Sequence, residues 1–151
     1  SFGAYCCGSG KLIDFLINKS RSFIYTTGLP PGVAAASLKG IEIIEQGELL
    51  RKQLWANARH VRGEIKRLGF DALEGESPII PLMVNDSALA LRVSKELLAL
   101  GIFVAAIRPP TVPVNTARLR LTVTARHSQE DLEVLVRALT QVRSLIKSAA
   151  I

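Results

Sequence analysis

The chain has 151 residues, a formal charge of +6, 48% hydrophobic residues and 21% charged ones. That is the composition of one ordinary globular domain, long enough to bury roughly 70% of its unfolded surface. No apolar run approaches the roughly 20 residues of a membrane helix, and SFGAYCCGSG at the start lacks the basic, then apolar, pattern of a signal peptide. The absence of a starting Met is expected of a piece of a longer chain. Cys6 and Cys7 are adjacent and the only cysteines, so they make no disulfide framework and suit a reduced, cytoplasmic protein. His60 and His127 are far apart in sequence, and no metal site is expected.

Residues 1–29 are rich in Gly, Ser and Thr and read as irregular, with one short helix near residues 11–19. LPPGVAAASLKGIEIIEQG predicts a helix with prolines in its first turn and a break at Gly47. ELLRKQLWANARHVRGEIKRLGF predicts a second helix. Its Leu50, Leu54, Ala58, Val61, Ile65 and Leu68 recur at steps of three and four, and Gly69 supplies a left-handed end. The basic residues Arg51, Lys52, Arg59, Arg62, Lys66 and Arg67 on this helix are interleaved with Glu48 and Glu64. With aromatics at only 5%, they read as a solvated face rather than a nucleic-acid site, a basic pocket for an anionic small molecule being the alternative left open.

PIIPLMV (residues 78–84) predicts a strand, which Pro81 confines to an edge or a bulge. Asp86 or Ser87 then caps a helix with Leu89, Val93, Leu97 and Leu100 on one face, ending at Gly101. Residues 102–107 (IFVAAI) predict a second strand. Residues 117–124 (ARLRLTVT) predict a third, with Leu119, Leu121 and Val123 on one side and Arg118, Arg120, Thr122 and Thr124 on the other. Ser128 with Asp131 resembles a capping box, opening a last helix through Leu132, Leu135, Leu139, Val142 and Ile146. The expected fold is α+β: a small, mainly antiparallel three-stranded sheet covered by helices on one face, preceded by a long helical segment. The third strand is expected in the middle, antiparallel to both others.

Arg118 and Arg120 would then occupy the uncovered face. A guanidinium offers five donors in a rigid fork that matches a carboxylate, and a central strand holds it in place. The prolines at 109, 110 and 113 stiffen the loop before that strand. Thr111 between them would present a hydroxyl and a backbone N–H in a nearly fixed place. Surface arginines on a solvent-facing strand are the alternative that pattern alone leaves open.

AIRPPTVPVNTARLRLTVTARHSQEDL resembles the C-terminal signature of the α-oxoamine synthases, and SFIYTTGLPPGVAAASL and SFGAY resemble two further stretches of that family, in family order. These are pyridoxal-phosphate (PLP) enzymes of fold type I that condense an amino acid with an acyl-CoA and release CO2. The IRPPTVP run is most similar to the branch that joins L-alanine to a pimeloyl thioester in biotin biosynthesis. Branches making 2-amino-3-ketobutyrate or 5-aminolevulinate are the alternatives, and a non-catalytic basic α+β binding module is the alternative of another class. The resemblance implies that Arg120 binds the amino-acid carboxylate and that Arg108 and Thr111 line the substrate pocket. It implies that Thr26 and Thr27 reach the PLP phosphate of the other subunit of a homodimer. Short hydroxyl side chains before a helix start at Pro30 and Pro31 also suit an anion. Neither nucleic acid nor membrane is an expected partner.

The resemblance divides the chain into the tail of a large PLP-binding domain (1–29), connecting helices (30–69) and a C-terminal α+β domain (70–151). Two departures accompany it. The lysine that bonds PLP would stand just before Ser1, so no catalytic residue is expected in this chain and the fragment alone is expected to be inactive. The run from Ala4 to Gly10 is about three residues shorter than the family's glycine-rich stretch. His60 and His127 match no family catalytic position.

Overall fold

A computed structural model describes residues 4–147. The chain forms two compact units, Ser1–Glu48 and Leu49–Ile151. In the first, α1 (Gly10–Lys19) starts where the Ser9 hydroxyl accepts the Leu12 N–H at 3.4 Å, followed by α2 (Arg21–Ile24) and α3 (Pro31–Gln46). Proline opens the first turn of α3, where no amide donor is needed, and Gly47 ends it, as the sequence suggested. Among the described residues of this unit none is buried.

The second unit contains all but the first residue of α4 (Glu48–Arg67), then β1 (Ile79–Asn85), α5 (Ser87–Ala99), β2 (Ala105–Ile107), β3 (Ala117–Thr122) and α6 (Gln129–Lys147). The sheet order is β1-β3-β2, and β3 runs antiparallel to both neighbours, as expected. Ile80, Leu82 and Val84 of β1 and Leu119 and Leu121 of β3 face one way. They form one core with Val61, Ile65 and Leu68, with Ala90, Val93 and Leu97 of α5, and with Leu132, Leu139 and Val142 of α6. All helices of this core therefore lie on a single face of the sheet.

Pro81 does sit on an edge strand. Its carbonyl accepts the Leu73 N–H at 3.0 Å on the outer side, so the donor that proline lacks would also have pointed away from β3. A register shift between Met83 and Asn85 adds a bulge at the end of β1.

Helix ends follow the local sequence closely. Asp86 caps α5 by accepting the Leu89 N–H at 2.7 Å. Ser128 and Asp131 form the reciprocal box at α6: the Ser128 N–H donates to the Asp131 carboxylate at 2.8 Å and the Asp131 N–H donates to the Ser128 hydroxyl at 3.2 Å. Gly69 (φ 69°) and Gly101 (φ 82°) each take the left-handed conformation after a helix. In both, the glycine and the next residue close paired bonds: Gly69 to Lys66 and Phe70 to Ile65, Gly101 to Leu98 and Ile102 to Leu97.

That closure corrects the second strand. Residues 102–107 were expected to be extended throughout, but the ladder covers only Ala105–Ile107. The Ile102 N–H is committed to the end of α5, and the Val104 carbonyl accepts the Ser94 hydroxyl at 2.6 Å. The third strand likewise ends at Thr122 rather than 124, because the Thr124 N–H donates to His127 Nδ1 at 3.2 Å. The apolar stripe of α4 is also shorter than its periodicity suggests: Leu50 is exposed and Leu54 half-buried, whereas Ala58, Val61, Ile65 and Leu68 are buried. A helix of this length runs about 30 Å against about 24 Å for β1, so one end extends past the sheet.

Candidate functional site

The uncovered face of the sheet is built on β3. Arg118, Arg120 and Thr122 alternate with the buried Leu119 and Leu121, so the two arginine Cα atoms stand about 7 Å apart on one face. Their flanks differ. Arg118 is registered between Met83 of β1 and Ile107 of β2, whose larger side chains leave it half-buried. Arg120 is registered between Pro81 and Ala105, which leave it exposed. Arg118 Nε donates to the Thr116 carbonyl at 3.0 Å. Arg120 has no hydrogen bond or ion pair within the described residues, so its whole fork is free for an anion.

The loop from β2 to β3 folds as two successive turns. In the first, the Thr111 N–H donates to the Arg108 carbonyl at 3.0 Å, around a cis Pro109–Pro110 bond. In the second, the Thr116 N–H (3.3 Å) and hydroxyl (2.8 Å) both donate to the Pro113 carbonyl, with Asn115 left-handed at φ 61°. Asparagine tolerates that conformation better than most residues. This corrects the expectation for Thr111. Its backbone N–H closes the turn and is not offered outward; the hydroxyl alone remains available. Arg108 and Thr111 are both exposed. One hairpin thus carries Arg108, Thr111 and Arg120.

Thr26 and Thr27 belong to the first unit. They follow α2 in an exposed segment, and neither hydroxyl has a hydrogen-bond partner within the described residues. Lys11 and Lys19 lie on α1, both exposed.

Two supporting residues escaped the sequence reading. Asn57 is the one buried polar side chain among the described residues, 4% exposed. Its Nδ2 donates to the carbonyls of Thr124 and His127, each at 3.0 Å, while its Oδ1 accepts from Gln53 at 2.8 Å. It thereby fastens the segment after β3 to α4. The available signal was a polar residue placed between Leu54 and Val61 on the apolar stripe. Arg62, assigned to a solvated face, is half-buried and donates to the carbonyls of Leu73 (3.2 Å) and Ser77 (3.1 Å), shaping the approach to β1. Asp131 is held below the usual carboxylate range chiefly by the Ser128 backbone N–H and then by the Ser128 hydroxyl. Among the described residues no helix is long and apolar enough to cross a membrane, and no cluster of His, Cys, Asp and Glu could hold a metal ion.

Residues 2–139 match the family model described as aminotransferase class I and II. The chain is 44% identical over 144 residues to the 8-amino-7-oxononanoate synthase of Geotalea daltonii, covering 94% of this chain and 37% of that relative. Its fold matches a serine palmitoyltransferase from S. paucimobilis, solved with a bound PLP–myriocin aldimine, at a TM-score of 0.80 and 28% identity; the match covers 89% of this chain and 34% of that one. It also matches the 8-amino-7-oxononanoate synthase of Francisella tularensis at a TM-score of 0.74 and 25% identity, over 96% of this chain and 42% of that one. The chain therefore spans little more than a third of the curated relative's length. The α-oxoamine synthase resemblance and the α+β architecture are both borne out, and the chain belongs to the aminotransferase class I and II family.

Proposed function

We propose that the chain is the C-terminal part of a PLP-dependent acyltransferase of the 8-amino-7-oxononanoate synthase type. The full enzyme would join L-alanine to pimeloyl-CoA, or to a pimeloyl carrier thioester, with release of CO2 and the free thiol. One observation carries this reading: Arg120, a guanidinium with no partner among the described residues, stands on the central strand of the hairpin whose connecting loop holds Thr111. Strong identity to proteins named 8-amino-7-oxononanoate synthase supports it.

Arg120 binds the amino-acid carboxylate bidentately in this reading, and the strand orients it with little freedom to wander. The Thr111 hydroxyl and the Arg108 guanidinium line the substrate pocket. Thr26 and Thr27 carry exposed hydroxyls with no partner among the described residues, which fit the acceptor oxygens of the PLP phosphate. When bound, PLP supplies the electron sink for bond-breaking at the amino acid's α-carbon. The enzyme is a cytoplasmic homodimer in which Thr26 and Thr27 serve the neighbouring subunit's cofactor.

The test is an assay of the full-length protein carrying this sequence, loaded with PLP. L-Alanine with pimeloyl-CoA is compared with L-serine and palmitoyl-CoA, the pair suggested by the structural relative's name. Mass spectrometry should detect 8-amino-7-oxononanoate and CO2 in preference to the long-chain product. A preference for serine and palmitoyl-CoA would overturn the assignment.

A further inference from the structure

We propose that Arg118 is a positioning residue: it locks the neck of the 108–116 loop and so sets where Thr111 and Arg108 stand relative to Arg120. The consequence for substrate rests on the reading of Arg120 above; the lock itself does not. Arg118 is registered with Ile107, the last rung of the β2–β3 ladder and the residue just before the loop begins. Its Nε donates to the carbonyl of Thr116, the residue just before β3 begins. One residue therefore stands at both ends of the loop: its backbone pairs with Ile107 and its side chain holds Thr116.

The lock continues into the loop. Thr116, held by Arg118, donates its own hydroxyl and N–H to Pro113, so a relay runs from β3 through Thr116 to the second turn. The need for it follows from β2, whose three residues give the hairpin a short ladder. Each turn is closed within itself, by Thr111 to Arg108 and by Thr116 to Pro113. Internal closure shapes a turn but does not fix its height above the sheet. Arg118 supplies that connection, and its half-buried place between Met83 and Ile107 restricts its own motion.

Lysine separates this role from charge. It keeps the cation but has a methylene where arginine has Nε, so it cannot donate to Thr116 from the same place. Arg118→Lys should loosen the loop as Arg118→Met does, although only the second removes the charge.

The experiment uses 15N NMR on the 151-residue chain. In the unmodified chain, the Arg118 Nε–H should exchange with solvent about threefold to tenfold more slowly than that of Arg120, the protection one hydrogen bond supports. In Arg118→Lys, amides of Thr111, Val112 and Val114 should lose order on the picosecond–nanosecond scale while those of Ile80, Leu82, Leu119 and Leu121 keep theirs. Equal exchange at the two arginines overturns the proposal, and needs no variant to fold. So does an unchanged loop in Arg118→Lys with the strands intact. In the full-length enzyme, Arg118→Lys should raise the KM for L-alanine several-fold more than it lowers kcat. If the loop loosens but Arg120→Ala leaves the alanine dependence unchanged, the carboxylate reading fails and the lock survives. If Arg120→Ala impairs alanine binding but the loop stays ordered in Arg118→Lys, the lock fails and the carboxylate reading survives.

Discussion

Across the β2–β3 ladder Arg120 stands opposite Ala105, whereas Arg118, two residues away on the same face, stands opposite Ile107. The smaller neighbour leaves the Arg120 fork open to solvent. Replacing Ala105 by methionine should drape an unbranched side chain over the guanidinium. The expected outcome is weaker amino-acid binding in the full-length enzyme with stability changed by no more than about 0.5 kcal/mol, as for substitutions outside the core. Amino-acid titrations alongside urea denaturation check both halves.

Asn57 fastens the segment after β3 to α4 with two bonds from one buried amide. Asn57→Ala would leave the Thr124 and His127 carbonyls without those donors. The expected loss is about 1–3 kcal/mol of unfolding free energy, read from urea denaturation of the chain followed by far-UV circular dichroism. Because Arg120 lies on the opposite face, its exposure should be unaffected.

The fold was legible wherever a local rule dictated it. Alternation placed Leu119 and Leu121 inward and Arg118 and Arg120 outward, and the Ser128–Asp131 box and the glycines at 69 and 101 fixed three helix ends. What stayed hidden depends on side chains reaching across the fold. The second strand lost its first residues because Ser94 and Leu97 claim backbone groups that a ladder would use. Nothing in residues 102–104 alone announces this. Arg62 looked like any solvated arginine until the carbonyls of Leu73 and Ser77 were brought to it. Alternation alone treats Arg118 and Arg120 alike; the family resemblance singles out Arg120, and register shows that it is the one with the small neighbours.

The start of α6 should depend on acid. Asp131 accepts the Ser128 N–H and hydroxyl, and its pKa is lowered in the folded chain. A group depressed on folding contributes stability above its unfolded pKa, near 3.9, and loses it as pH falls through the folded value. The cap should therefore be intact at neutral pH and open only below about pH 4. Amide exchange at Ser128 and Leu132 as the pH is lowered should show this loosening, and Asp131→Asn should remove the dependence.

Thr26 and Thr27 are proposed to reach the cofactor of the other subunit, which makes each site of the dimer a shared one. A Thr26→Ala/Thr27→Ala double mutant of the full-length enzyme should be weakened in PLP binding. Mixed with a variant lacking the PLP-bonding lysine, it should regain part of its activity, since one site of each mixed dimer would carry neither defect. If subunit exchange is demonstrated by mass and activity stays absent, the contact is made within one subunit.

The most direct test of the account is the alanine dependence of the full-length enzyme with Arg120→Ala. Losing a charge-assisted contact should cost roughly 1.5–3 kcal/mol in kcat/KM for L-alanine, while the KM for pimeloyl-CoA changes little. An unchanged alanine titration, with the variant folded and PLP-loaded, would contradict the account and leave Arg120 a solvated arginine on an open sheet.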